Sequence, residues 1–562
     1  MNGTNGINGK SYKPRRRNNL ASVFYTEELG ARVVAQSGIP TDRHHVGKLI
    51  FQSLKEDPDR IAQIDGALDK KETTGSVLKR SIQCAIAMTH LGLKKGDVVV
   101  AMAPNHVDLC IPVFASMYLG VYLAGTDMTL GVRELEKSFE VNKPKIVFCQ
   151  SDRAADVDKA LKGSNTKGHV VTFDKDSTFQ SFTEFLQTHT ESNVKVEDFK
   201  PTDFDPEETV IFLTATSGTT GLPKSAILTH KNVAVGFPQM MARYPEFPTP
   251  TRLYLLVSPL QWLSANMIFV TSSLYKFTRL QSSGPATRDH IYDLINKYRP
   301  TSFLSSPTFM VNLLAPEERG RCDFTCFNDI ILGGSFVPHT IFEIFKEIAP
   351  NVQAELGYGM SEIAGIGFAW EPEYPKGTVG KPSPHLNHRL VDPVTLQDVT
   401  EPNVAGEVWF KGPPVFKGYF NNPEATKEAF VDGWLRSGDL FSRDENNHYF
   451  FVDRLKMLLK YRNHQISPLE VEAEILKHPG VHDAVVVGLP DLECGDLPTA
   501  FVVTHPGHKV TAQEIKDIVK ENLTDSKQLR GGVIFIKELP QTVTTKVDRV
   551  KLKKMATQME RE

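Results

Sequence analysis

The sequence predicts an α/β protein: a large N-terminal part of layered α/β subdomains plus a small β-rich subdomain, followed by a small mobile α+β C-terminal lid. Three observations carry this. Apolar β-branched runs alternate with helical segments from about residue 46, as in doubly wound folds. Turn signals crowd together after Glu401, at Lys411-Gly-Pro-Pro414, Lys417-Gly418 and Asn421-Asn-Pro423. Beyond Asp453 two helix-start signatures sit among short strands. At 562 residues the chain also exceeds what one hydrophobic core organises.

Residues 1–45 are expected to form a disordered or extended tail. Met1 to Asn19 is rich in Gly and Asn and carries Lys13-Pro-Arg-Arg-Arg17, with no apolar core for secretion. A nuclear-import role is the weaker reading of that basic run. In the large domain, 46–452, buried strands are predicted at Asp97-Val-Val-Val-Ala-Met102, Lys145-Ile-Val-Phe148, His169-Val-Val-Thr-Phe173 and Glu208-Thr-Val-Ile-Phe-Leu213. The longest apolar run, Leu109 to Gly125, is broken by Pro112 and two glycines, so it reads as a core helix entering a strand rather than a membrane span. The lid, 453–562, opens with Ser467-Pro468-x-Glu470, and Thr511-x-x-Glu514 repeats the capping box before Ile515, Ile518, Val519 and Leu523. Strands at His482–Gly488, Thr499–Val503 and Gly532–Ile536 complete it.

Composition narrows the function. Lys+Arg 64 against Asp+Glu 67 gives a formal charge of −3, so no global field invites nucleic acid. Six scattered cysteines suit a reducing compartment, and Cys322 and Cys326 lack the second Cys/His pair that a zinc site needs. The last residues, Gln558-Met-Glu-Arg-Glu562, are not a Ser-Lys-Leu address, and the expectation is a cytoplasmic protein.

The string Thr214-Ala-Thr-Ser-Gly-Thr-Thr-Gly-Leu-Pro-Lys-Ser225 is the most informative. Hydroxyls at Ser217, Thr219 and Thr220 lie between Gly218 and Gly221, with Lys224 behind. Glycines admit close backbone approach, and successive free N–H groups make an anion-binding concavity suited to polyphosphate. It is not a Walker A loop, because Pro223 stands where the second glycine belongs. A plain Ser/Thr/Gly surface turn is the other reading of the composition. The whole string resembles the phosphate loop of adenylate-forming enzymes: acyl-CoA synthetases, coumarate-CoA ligases and beetle luciferases.

Further segments extend the resemblance, in order, from about residue 46 to the end. Gly357-Tyr-Gly-Met-Ser-Glu362 is, on its own, also a helix start with a buried tyrosine. It is similar to the family's adenine-and-magnesium motif, where Tyr358 stacks on adenine, Gly359 and Ser361 line the nucleotide, and Glu362 holds Mg²⁺ together with Thr219. Gly333-Gly334-Ser335 resembles a segment passing the nucleotide and acyl group. Gly433-Trp-Leu-Arg-Ser-Gly-Asp439 resembles the motif whose aspartate takes both ribose hydroxyls, although Asp after Gly is commonly a turn residue. Asp453-Arg454 matches the hinge, with Asp453 as pivot and Arg454 on ribose or phosphate; a strand-edge charge cluster is the alternative. Leu539-Pro-Gln-Thr-Val-Thr-Thr-Lys546-Val-Asp-Arg549 resembles the loop delivering the adenylation lysine, and Lys460 would act in the second half-reaction.

The nucleotide set is thus Thr216, Ser217, Gly218, Thr219, Thr220, Gly221, Lys224, Gly334, Ser335, Gly357, Tyr358, Gly359, Ser361, Asp439 and Arg454, and the catalytic set Lys546, Lys460 and Glu362. Gly333, Gln261 and Trp262 are assigned to the acyl pocket. In the segment Ser258-Pro-Leu-Gln-Trp-Leu263 the family commonly has His; Trp262 would narrow the tunnel, or else be a core aromatic. Ser225, Asn463 and Thr545 stand where the family usually has Gly. Asn tolerates a left-handed backbone and Thr does so poorly.

The resemblance implies an insect-type, luciferase-like acyl-CoA synthetase. It would use Mg²⁺, ATP and coenzyme A to activate a carboxylic, fatty acid through an acyl-adenylate, without nucleic-acid partners or a transmembrane segment. The rivals are a luciferase-type monooxygenase and a catalytically weakened nucleotide- or acyl-binding homologue. The acid and the oligomeric state are not legible.

Overall fold

Val98–Met102 forms a strand buried at every position, as a continuous apolar run in a sheet covered on both faces must be. The structure is a computed structural model. It describes residues 21–189, 195–216, 224–241, 244, 247–248, 252–335, 337, 339–371, 373–461, 464–491, 494–523, 525–541 and 547–562, without the side chains of Lys456, Lys460, His464 and Gln465. Val98–Met102 lies mid-sheet, in the order Gln180–Ser181, His169–Thr172, Ile146–Cys149, Val98–Met102, Tyr122–Gly125, Val210–Thr216, Lys224–Thr229. The neighbours run parallel except the last pair, an antiparallel hairpin. The strands expected near 97–102, 145–148, 169–173 and 208–213 are these.

Between Leu109 and Gly125 the chain is a helix, Cys110–Leu119, buried at every residue but Leu119, followed by the strand Tyr122–Gly125. Gly120 joins them at φ +68°, where a Cβ would fall 2.8 Å from the Phe204 ring. A second seven-stranded sheet repeats the plan: Gln353–Gly357, Asp329–Gly333, Ser302–Ser305, Leu253–Leu255, Thr278–Gln281, Ile61–Asp65, then antiparallel Lys70–Thr73. Its buried cation, Arg279, is held by the side-chain oxygens of Gln63, Gln281 and Ser272, with the Phe269 ring 4.9 Å away. Burial lowers its pKa, desolvation being the first cause.

The expected tail needs correction over residues 21–45. Ala21–Ser37 is a helix, Pro40–His44 a short 3₁₀ turn, and Tyr25, Leu29 and Val33 are buried. Those three recur four residues apart, on one face of the helix, and burying that face is what the helix gains. Residues 1–20 lie outside the described ones.

The chain divides into two compact units, Met1–Asn387 with Phe410–Leu435, and His388–Trp409 with Arg436–Glu562. Asp453 therefore falls inside the second. In that unit Val481–Asp491 pairs antiparallel with Gly495–Thr504, which runs parallel to Gly532–Phe535. Ser467 caps helix Pro468–Ile475 through the Glu470 N–H, and Thr511 with Glu514 closes a reciprocal capping box on Ala512–Asn522. Both helices bury Val471, Ile475, Ile515 and Val519 against one sheet face, and Leu552 and Ala556 of helix Arg549–Ala556 cluster with Phe501 and Ile534 on the other. Among the described residues no helix is long and apolar enough to cross a membrane.

Candidate active site

In an open α/β sheet, ligands gather beyond the carboxyl ends of parallel strands. Gly333 and Gly357 end two such strands opposite one another. A Cβ on Gly333 would lie 2.6 Å from the Gly357 carbonyl oxygen, so the close approach excludes any side chain. Gly334 follows at φ +94°, and Ser335 is exposed. Gly125 ends another parallel strand, and there a Cβ would meet the Leu260 carbonyl oxygen at 2.5 Å. That contact packs the strand end directly against the segment carrying Gln261 and Trp262. Both side chains are half-buried, and Trp262 stands at the N-cap position of helix Leu263–Leu274.

The phosphate-loop residues Ser217, Gly218, Thr219, Thr220 and Gly221 lie outside the described residues, but both ends of the segment are fixed. Thr216 and Lys224 are register partners in the antiparallel hairpin, and the Thr216 hydroxyl donates to the Lys224 carbonyl at 3.2 Å. Ser225 lies within the strand Lys224–Thr229 and is not among the residues with left-handed backbone. Its place in the family pattern does not demand glycine here.

Tyr358 follows directly on the strand end, half-buried, with its ring 5.6 Å from Phe368 and 6.5 Å from Phe410. Gly359 pairs with Ile366, and a Cβ on Gly359 would lie 2.4 Å from the Gly365 carbonyl oxygen. Ser361 opens the 3₁₀ turn Ser361–Ile363, which presents Glu362, only 8% exposed. The Tyr419 hydroxyl donates to Glu362 Oε1 at 2.8 Å, and the Phe416 N–H donates to the Glu362 carbonyl at 2.9 Å. The Lys224 ammonium stands 5.2 Å from the centroid of the Tyr419 ring. Burial, then the neighbouring Glu362 charge, pushes the Tyr419 phenol far above its ordinary value, so it stays a proton donor.

In the second unit, Asp439 and Arg454 are cross-strand partners, Arg454 Nε lying 3.2 Å from Asp439 Oδ1. Just before Asp439, within the strand Trp434–Arg443, Gly438 takes φ +72° and its N–H donates to the buried Glu407. Glu407 also accepts from Trp409 Nε1 and Arg436. Asp453, 1% exposed, accepts from the Arg454 N–H and from the Ser467 hydroxyl that caps the following helix. Burial raises its carboxyl above the usual range. Lys460 lies on the strand Leu459–Tyr461; its side chain and Lys546 are outside the description. The segment around Lys546 is closed at its base by a Gln541–Val547 bridge and an Asp548 N–H to Pro540 carbonyl bond of 2.8 Å. Arg549, beyond it, is clamped in two prongs on the buried Glu472.

Sequence reasoning missed Tyr419, Glu407 and the Glu472–Arg549 pair. Lys417-Gly418 marked only a turn, yet Tyr419 beside it bridges Ala226 of the phosphate-loop strand, a pairing of distant segments with no local signature.

The chain matches the AMP-binding enzyme model over residues 50–420 and the AMP-binding enzyme C-terminal domain over 470–546. It is 32% identical over 530 residues to a luciferin 4-monooxygenase of Photuris pensylvanica, covering 91% of this chain and 95% of that one. It is 30% identical to the peroxisomal OPC-8:0-CoA ligase 1 of Arabidopsis thaliana, over 90% and 92% of the two chains. The fold superposes on ATP-bound MatB from Rhodopseudomonas palustris with a TM-score of 0.80, at 24% identity, over 91% of this chain and 99% of that one. By sequence and by fold, this chain belongs to the AMP-binding, adenylate-forming enzyme family.

Proposed function

We propose that this protein activates a carboxylic acid, fatty in class, with ATP and passes the acyl group to coenzyme A in the cytoplasm. The observation that carries the reading is the buried Glu362, presented beside the anchored ends of the phosphate loop by a neutral hydroxyl. In the first half-reaction a carboxylate oxygen attacks the α-phosphorus. A new O–P bond forms, the bond to the bridging oxygen breaks, and pyrophosphate leaves with the electron pair. In the second, the coenzyme A sulfur attacks the acyl carbon, the thiol proton goes to solvent, and AMP departs.

Tyr358 offers the adenine a flat face, and Asp439 with Arg454 offers ribose and phosphate an acceptor and a cation. Lys224 and Lys546 would counter charge growing on the phosphoryl oxygens, each contact on the order of 3 kcal/mol. Among the described residues no cluster of three His, Cys, Asp or Glu is placed to hold a metal. Mg²⁺ leans on phosphate oxygens, water and one or two carboxylates; Glu362, with Thr219, would hold it. When bound, the ion neutralises phosphate charge. The division into 46–452 and 453–562, pivoting at Asp453, would let Lys546 and Lys460 reach the site in turn.

Similarity to luciferin 4-monooxygenases favours a second reading, in which the adenylate meets oxygen. Gln261 and Trp262, standing where the family commonly has His, argue against it. ATP–pyrophosphate exchange screened over short, long and aromatic acids tests the first step, and thioester formation against light emission separates the readings. Lys546→Ala should abolish exchange yet let a supplied acyl-adenylate react with coenzyme A, and Lys460→Ala should do the reverse. Equal damage to both steps by both changes would overturn the alternating lid.

A further inference from the structure

We propose that Tyr419 is the positioning residue of the metal–phosphate site: its hydroxyl aims the Glu362 carboxylate at the cation carried by ATP, while its ring holds the Lys224 ammonium at the foot of the phosphate loop. The proposal rests on the adenylation reading and deepens it, because one side chain then sets both cation affinity and phosphate affinity.

The geometry is built from three strands of chain that are far apart in sequence. Residues 417–420 lie along the strand Lys224–Thr229: the Ile227 N–H donates to the Gly418 carbonyl at 2.9 Å and the Phe420 N–H to the Ser225 carbonyl at 2.8 Å. Tyr419 is thereby set opposite Ala226. Lys224, two residues before Ala226, falls on the same face as the diagonal neighbour, within reach of an aromatic ring. On its other side the segment grips Glu362 twice, through the Phe416 N–H on its carbonyl and the Tyr419 hydroxyl on its carboxylate. The clamp is itself fixed. Asn232 donates to the carbonyls of Pro413 and Val415, and the Tyr419 N–H donates to the Thr426 hydroxyl at 2.9 Å. The Phe416 ring packs edge-on against Tyr419 at 4.9 Å.

The choice of a phenol has a chemical consequence. A hydroxyl fixes the carboxylate's rotation without itself adding a positive charge beside the oxygen that would face Mg²⁺. The ring meanwhile attracts the ammonium weakly and keeps it near where phosphate would lie, so the lysine gives up less freedom on binding. Lys224 is therefore stored near its place of use.

The test measures binding rather than turnover. ATP affinity of the full chain, followed by calorimetry across a Mg²⁺ titration, is compared between wild type, Tyr419→Phe, Tyr419→Leu and Glu362→Gln. Tyr419→Phe keeps the ring and loses the hydroxyl. It should raise the Mg²⁺ concentration for half-maximal enhancement about tenfold, the scale of a hydrogen bond to a charged group, while leaving metal-free ATP affinity unaltered. Tyr419→Leu should also weaken metal-free ATP binding about threefold, the scale of an exposed cation–π contact. If Glu362→Gln shifts the Mg²⁺ response and Tyr419→Phe does not, the positioning role is overturned and the metal reading stands. If Glu362→Gln leaves the response unchanged, the metal reading fails and this proposal with it. A uniform affinity loss in Tyr419→Phe, equal with and without Mg²⁺, would assign Tyr419 a structural part only and overturn the proposal.

Discussion

Glu362 and Glu472 are two glutamates of similar burial, 8% and 6% exposed, the first in the 3₁₀ turn Ser361–Ile363 and the second midway along the helix Pro468–Ile475. Their partners separate them. Glu472 takes both prongs of the Arg549 guanidinium, at 2.7 and 2.9 Å, and the Val486 N–H at 2.6 Å. Burial still pushes its carboxyl above the ordinary range, the guanidinium opposing. Glu362 receives the neutral Tyr419 hydroxyl. A carboxylate answered by a guanidinium inside its own unit is an internal tie. On the proposed reading, one oriented by a phenol would be presented to the cation that arrives with ATP.

The largest effect should come from breaking the internal tie. Arg549→Met leaves Glu472 buried without its cation, which costs on the order of 3–5 kcal/mol. Hydrogen exchange along Val481–Asp491 should report the loss in the second unit. The double change Glu472→Leu with Arg549→Met should restore most of the protection, since an apolar pair in that volume can be neutral. If Arg549→Met alone leaves exchange unaltered, Glu472 is not held by its guanidinium and the contrast with Glu362 collapses.

Acid should then separate the units. In the first unit burial lowers His45 and His106 to about 4, and His230, fully buried, is lowered well below 6.5. The fold holds neutral imidazoles, so below pH 6.5 the unfolded chain binds protons that the folded one refuses. Stability is lost as pH falls from about 6.5 toward 4, by roughly 1 kcal/mol for each histidine at pH 5.5. The second unit has one histidine lowered by burial, His388, and an opposing device beside it. Burial raises Asp453, so its protonated form suits the fold, and that contribution is kept at low pH and lost as pH rises through the folded pKa. Exchange measured at pH 7.5 and 5.5 should therefore show the first unit loosening more. His230→Leu should flatten its pH slope. Both ring nitrogens of His230 are buried without a partner, so little bonding is lost with them. An unchanged slope would remove His230 from the account.

What could be read in advance follows the same division between local and distant. The strand Val98–Met102, the helix Cys110–Leu119 and the Ser467 and Thr511 caps each announce themselves within a few residues, by apolar runs or by fixed offsets. The motifs naming Lys224, Tyr358, Glu362, Asp439 and Arg454 are local strings too, and their resemblance to one family was legible. Helix Ala21–Ser37 was missed because it follows directly on the Gly- and Asn-rich terminus, although Tyr25, Leu29 and Val33 recur at helical spacing. Tyr419, Glu407 and Arg549 were missed for a different reason. Each matters through a partner remote in sequence or across a strand: Glu362, Arg436 and Glu472. No single segment encodes such a meeting.

The smallest expected effect concerns the departures from the family pattern, and it decides whether they weaken the site. Ser225 stands where glycine is usual, one residue past Lys224. Glycine would be required if the backbone there were left-handed or closely approached. Instead Ser225 is paired with Ala215 within an antiparallel hairpin, and its carbonyl accepts the Phe420 N–H that sets Tyr419 in place. In such a strand glycine adds unfolded-state freedom and removes a side chain, at a cost of about 0.5–1 kcal/mol. Ser225→Gly should therefore lower thermal stability slightly and leave ATP–pyrophosphate exchange within twofold of the parent. A large gain in exchange would mean that serine does impair the loop, and would favour reading this chain as a weakened member of its family. An unchanged rate would keep the Lys224–Tyr419–Glu362 array intact as an adenylating site that simply tolerates a hydroxymethyl group beside its lysine.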